Sequence, residues 1–280
     1  MEQKTQILSR IATGLAAMYG VYRLFLFVIQ RLGAGELPGM EMLSALVLYG
    51  AGFLLLVRLA GPANADGSVG RAGIRPGAFL WIVLLQMFSL AIHLVLIQLE
   101  LLSLQSPVTT PPVSFEGPWH LFLLLFLTPL FEELAFRKIP GDRLLPKHEE
   151  LYLFASALLF GLAHWPGAGV KTVIVTFYLG LIWAKVYAKT RNLPLVVLMH
   201  ILYNLLSGFL PSVLGSVSEY AQAGFILVLL LLSVVAMIRF LKRRRACAIF
   251  PAGKAWRSIF SGRGFWLYLG MLILSRILLQ

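Results

Sequence analysis

The residues that invite chemistry lie in Leu130-Phe-Glu-Glu-Leu-Ala-Phe-Arg137. There Glu132, Glu133 and Arg137 interrupt a run that is otherwise almost wholly apolar from Trp119 onward. A charged side chain at the centre of a bilayer costs about 2.5–3.5 kcal/mol on insertion scales, and such residues are rare unless they pair or act. Two further pairs follow: Phe160 and His164 in Phe-Gly-Leu-Ala-His, then His200 and Asn204 in His-Ile-Leu-Tyr-Asn. Residues four apart share one face of a helix, so each pair points two side chains in one direction. Glu133 and Arg137 have the same spacing, in the more favourable order of acid before base. Glu132 is turned about 100° further round and is free of that partner.

Two carboxylates, two imidazoles and an amide converging in a water-poor cavity suit hydrolysis by activated water. A Glu serves as general base while a neutral His holds the water. A second His and an Asn amide donate to an oxyanion, often a large contribution in acyl transfer. Arg137 would orient Glu133. A metal version is also open, slightly behind the metal-free one: Glu132, His164 and His200 make a His₂Glu set, a known catalytic zinc type with a position left for water. The His-Glu-x-x-His helix of soluble metalloproteases is absent. No serine or cysteine arrangement competes, because Ser156 and Ser207 have no evident base and the single Cys247 sits in a basic tail. One cysteine also forms no internal disulfide.

The elements that must position these residues are membrane helices. Of 280 residues, 59% are hydrophobic and 13% charged, whereas soluble domains carry nearer a quarter charged. The apolar blocks run over 8–31, 38–60, 77–104, 119–145, 150–166, 168–188, 190–211 and 221–241, with a shorter one at 264–279. Most approach the roughly 20 residues that a spanning helix needs. The expected class is an all-α polytopic membrane bundle of about eight transmembrane helices, with 264–279 a ninth span or an interfacial helix. We read 1–280 as one integral membrane domain, with 119–210 as its chemical core and 242–263 as a basic cytoplasmic segment. His93, alone on an apolar helix, reads as a packed residue, and Phe177, Tyr178 and Trp183 as core aromatics. Gly180, Ala184 and Ala188 form a small-residue stripe for close helix approach.

The net charge of +12 does not imply nucleic acid. All but four of the 24 Lys and Arg (Arg23, Arg31, Lys171 and Arg276) fall at the N-terminus, 58–75, 137–147, 185–191 and 239–263. Eight spans alternate through these clusters as the positive-inside rule requires, which puts the N-terminus and the Lys242-Arg-Arg-Arg245 tail in the cytoplasm. That tail suits anionic lipid headgroups. No cleavable signal peptide is evident, since the first apolar segment is long and carries Arg23. If the fourth span stays helical to about Leu145, Glu132 lies roughly 20 Å from its cytoplasmic end. His164 then lies roughly 22 Å in, and His200 about 15 Å. A helix ending at Arg137 would leave the acids near the surface.

Glu-Glu-x-x-x-Arg, Phe-x-x-x-His and His-x-x-x-Asn, in that order on successive apolar helices, resemble the CAAX-protease and bacteriocin-processing (CPBP or Abi) family. Its eukaryotic relative is the Ras-converting CAAX endopeptidase. The resemblance covers roughly 119–210, without departure from the core pattern. It implies an intramembrane endopeptidase with Glu132 as general base, His164 assisting, and His200 and Asn204 as oxyanion hole. Glu133, Arg137 and Phe160 would be supporting. It also implies a membrane-anchored or lipidated peptide or protein as substrate, and a bacterial or archaeal inner membrane as location. Family members have been described both as glutamate-type and as metal-dependent, so cofactors of none or Zn²⁺ are both expected. The rivals are a non-catalytic scaffold or bacteriocin-immunity protein of the same fold, and a proton-coupled transporter. A transporter predicts paired halves or broken helices in corresponding positions, and the sequence shows no such symmetry.

Overall fold

A computed structural model describes residues 3–35, 37, 39–63, 73–102, 117–145, 147–243 and 253–278. Cys247, residues 244–252 of the basic segment and most of the Ser103–Pro118 connection lie outside the described residues. Those described form helices and short connections, with no strand among them.

Seven helices are long and apolar enough to cross a membrane. They are α1 (Gln3–Arg31), α2 (Met40–Ala60), α3 (Pro76–Leu99), α4 (Pro118–Leu144), α6 (Trp165–Thr190), α7 (Leu193–Val217) and α8 (Glu219–Lys242). Between α4 and α6 lies α5 (Glu149–Ala163), only 15 residues long. At 1.5 Å per residue it covers about 22 Å, short of a hydrocarbon core of about 30 Å. It is instead the most enclosed element, with Leu151, Tyr152, Phe154, Ala157 and Phe160 all buried. The chain ends in α9 (Gly253–Phe260) and α10 (Arg263–Leu278). The protein is thus an integral, multi-pass membrane bundle of about eight helices with a further C-terminal helix packed on it.

Close backbone approaches set how these helices cross. On α1, Leu8, Ile11, Ala12, Leu15 and Met18 repeat at helical spacing and are buried. Gly14 meets Leu56 of α2, where an added Cβ would lie 3.0 Å from the Leu56 carbonyl oxygen. The contact is reciprocal, since a Cβ on Gly52 would lie 2.9 Å from Met18 O. The small-residue stripe of α6 behaves as its spacing suggests: a Cβ on Gly180 would lie 2.9 Å from Ala157 Cα of α5. Proline–glycine chemistry breaks the chain between α5 and α6. His164 caps α5, and Gly169 adopts φ 78°, a left-handed conformation that a side chain disfavours.

Four short stretches widen into π-helix: Val47–Gly52, Leu123–Leu127, Leu134–Lys138 and Leu205–Phe209. A π-bulge adds one residue to a turn, rotates the face that follows and disturbs the i→i−4 ladder. Two lie in α4, on either side of Thr128–Glu133, and one begins immediately after Asn204 in α7. Despite them α4 stays helical to Leu144, so the acids sit mid-helix rather than at its end.

Candidate active site

Glu133 and Arg137 bridge the second π-bulge of α4. Arg137 Nε lies 3.1 Å from Glu133 Oε2, and neither side chain is exposed at all. The N–H is not aligned for a hydrogen bond, so the contact is an ion pair. The guanidinium lies over aromatic rings, its carbon 4.3 Å from the Phe160 centroid and 5.3 Å from that of Trp183. These cation–π contacts stand where solvent would otherwise be. The bulge also presents the Phe136 carbonyl, which accepts from Ser156 Oγ at 2.6 Å.

His200, from α7, closes the cluster. Its Nδ1 donates to Glu133 Oε1 at 3.0 Å, and its Nε2 lies 3.7 Å from Glu132 Oε2. The ring stacks on Trp183 at 4.3 Å between centroids and meets the edge of Phe160 at 6.2 Å. Glu132 keeps 17% of its side chain exposed. Two adjacent acids therefore have different lots, because successive residues on a helix point about 100° apart. Glu133 is sealed between Arg137 and His200, while Glu132 stays partly exposed.

His164 and Asn204 are held by backbone carbonyls. His164 Nδ1 donates to Phe160 O at 2.9 Å, so in the neutral ring Nε2 carries the lone pair. Asn204 Nδ2 donates to Leu124 O at 2.8 Å, a carbonyl in the first π-bulge of α4. That bond joins α7 to α4 one turn before Thr128. The Phe160 ring lies 4.8 Å from that of His164, so Phe160 touches both imidazoles and the guanidinium.

Two residues outside the candidate set, Trp183 and Gln86, join this cluster. Trp183, expected as core, donates its indole N–H to Gln86 Oε1 at 2.9 Å, and Gln86 Nε2 donates to Met199 O at 3.1 Å. Gln86 of α3 thus fixes the backbone beside His200 and the ring stacked on it. Its signal was available: a fully buried amide in an apolar span needs partners as much as a charge does. His93 belongs to the same helix, and its side chain is partly exposed.

An open cavity of about 280 Å³ between α1, α2 and α4 is lined by Tyr22, Glu41, Ser44, Tyr49, His120 and Thr128, among others. It ends at Thr128, one turn before Glu132, where Tyr49 and Thr128 share a hydrogen bond of 2.8 Å. Phe131, beside Glu132, stacks on Tyr49 at 4.8 Å. At the mouth, His120 Nδ1 lies 3.0 Å from Glu41 Oε1.

The fit to a metal can be tested on the donors. His200 has its carboxylate partner at Nδ1, as metal-binding histidines commonly do. Yet no three His, Cys, Asp or Glu side chains among the described residues gather closely enough to hold an ion. Glu132, His164 and His200 as arranged do not make the His₂Glu set, and no step below passes through zinc.

The fold and these contacts define a class: a multi-pass membrane protein with an acid–imidazole–amide cluster enclosed among its helices. Residues 114–206, which carry the whole cluster except Gln86, match the family model described as type II CAAX prenyl endopeptidase Rce1-like. Over 199 residues the chain is 26% identical to the membrane-embedded CAAX protease MroQ of Staphylococcus aureus (strain USA300). That alignment covers 64% of this chain and 79% of the relative. No solved structure matches. Both matches fall on the CAAX-protease family that the motif order resembles.

Proposed function

We propose that the protein is an intramembrane endopeptidase that hydrolyses a peptide bond near the C-terminus or membrane anchor of a membrane-associated or lipidated substrate. The observation that carries the reading is the geometry of the enclosed cluster: Glu133 lies between Arg137 and His200, and His200 turns Nε2 towards Glu132. At 3.7 Å Glu132 Oε2 and His200 Nε2 are too far apart for a direct hydrogen bond. With His200 protonated, both ring nitrogens are donors: Nδ1 to Glu133, Nε2 towards the reacting centre.

In the proposed reaction the Glu132 carboxylate takes a proton from water as the water oxygen bonds to the scissile carbonyl carbon. His164, with its Nε2 lone pair, holds the second hydrogen of that water. The oxyanion accepts from His200 Nε2–H and from the second N–H of Asn204, whose first is engaged by Leu124 O. Collapse breaks the C–N bond, and the proton on Glu132 goes to the leaving amine. Glu133, Arg137, Phe160, Trp183 and Gln86 act by holding His200.

The chain distribution of Lys and Arg supports a cytoplasmic N-terminus, and it supports anionic headgroups as partners of the tail. A bacterial or archaeal inner membrane fits the bacterial relative.

The test is cleavage of a panel of membrane-anchored and lipidated C-terminal peptides by detergent-purified protein. Glu132→Ala and His164→Ala should each abolish the cleavage seen with wild type. Chelator treatment separates the two cofactor expectations, since glutamate chemistry is indifferent to it. Wild-type rates in both variants would sink the residue assignment, and a wild type inert on the whole panel would favour a non-catalytic scaffold.

A further inference from the structure

We infer that the C-terminal helix α10 is a positioning element for His164, acting through Tyr268 and Arg276. The inference rests on the hydrolase reading above, but the residues it adds lie outside the 114–206 segment that carries the family match.

Two side chains of α10 bracket the stretch that presents His164. Tyr268, fully buried, donates its hydroxyl to Leu159 O at 3.0 Å. Arg276 donates Nη1–H to Pro166 O at 2.9 Å. Leu159 and Pro166 lie on either side of the Phe160–His164 pair. This is also where the chain is least able to hold itself: α5 ends at His164, and the left-handed Gly169 interrupts α6 shortly after. Donors from α10 to the carbonyls on either side of this break tie the segment to the bundle.

The His164 ring takes its direction from the same backbone, because its Nδ1–H is bound to Phe160 O. Whatever fixes residues 159–166 therefore fixes the direction of Nε2. The helix α10 is itself anchored elsewhere. Gly264 N donates to Ser9 Oγ of α1 at 2.9 Å, and a Cβ on Gly264 would collide with the Ser9 backbone. The Tyr268 ring also meets that of Tyr19, also on α1, at 6.3 Å. A continuous line of contacts thus runs from α1 through α10 to the junction carrying His164. An Arg in an apolar tail, unexplained as a lipid-facing residue, acquires a role as a donor to a helix junction.

Misplacement of a reacting group by about 1 Å can lower a rate by as much as 10²-fold. Tyr268→Phe and Arg276→Met, each of which removes the donor, are therefore expected to lower kcat by about tenfold each while KM stays within about twofold. Arg276→Lys, which keeps a donor, should recover most of the rate. Hydrogen–deuterium exchange on the same detergent-purified variants supplies a readout independent of catalysis. Uptake should rise in 159–170 and stay level in α4 and α7. The inference is overturned if uptake in 159–170 is unchanged, if it rises across the whole bundle, or if KM alone moves. Should wild type cleave none of the peptides, the hydrolase reading fails while the exchange result still decides whether α10 holds this junction.

Discussion

Two Glu–His contacts of equal length occupy opposite surroundings in this molecule. His200 and Glu133 meet at 3.0 Å with side chains 6% and 0% exposed. His120 and Glu41 meet at 3.0 Å with 40% and 48% exposed. The outer pair joins α2 to the start of α4 at the mouth of a cavity, where water can take over either partner. The inner pair has no such substitute, so Arg137, Trp183 and Glu132 around it are parts of one arrangement. Distance alone does not rank these contacts. What replaces the lost hydration does.

The comparison can be broken most directly at the acid that stays partly exposed. Glu132→Gln removes the base while keeping the shape, and cleavage rates should fall by about 10²–10⁴-fold with little change in unfolding temperature. A comparable loss from Glu41→Gln in the same assay would erase the distinction between the two pairs. Next in size is Arg137→Met, which leaves Glu133 enclosed with only His200. Removing one partner of a buried pair costs about 3–5 kcal/mol, readable as a large drop in the midpoint of thermal unfolding in detergent. The double variant Glu133→Gln/Arg137→Met should be less unstable than that single one, and additive losses would contradict a coupled pair. A smaller effect is expected from Gln86→Leu, which strands the Trp183 indole N–H at a cost of about 1–3 kcal/mol. An unmoved midpoint there would show that Gln86 is not needed to hold the ring behind His200. Smallest of all, Glu41→Gln should shift stability by less than about 1 kcal/mol, and the shift should shrink as salt is added.

The acids, Arg137, the two histidines and Asn204 stood out because each breaks an apolar run, and all but Glu132 have a partner four residues away. Polar atoms in hydrocarbon are conspicuous whatever the fold. Other parts were illegible for equally physical reasons. Nothing local marks Leu123–Leu127 or Leu134–Lys138 as π-helix, yet those bulges turn Leu124 O towards Asn204 and Phe136 O towards Ser156. Trp183 looked like any core aromatic until the fold brought Gln86, 97 positions away, to its indole. The 150–166 block had the hydropathy of a span, but α5 stops at Ala163 with His164 as its cap.

The sequence by itself determined the class of solvent, because nearly every long apolar block must satisfy its backbone internally and so must be helical. It also determined which residues are too polar to be there idly. Tertiary structure decided who meets whom. Glu133 rather than Glu132 receives His200 Nδ1, and Arg137 lies under Phe160 and Trp183. An Arg in the last turn of the chain reaches the carbonyl two residues beyond His164. Those choices depend on helix crossings set by Gly14, Gly52 and Gly180 and on bulges that rotate a face partway along a span. Such effects join residues far apart in sequence, and no local spacing encodes them.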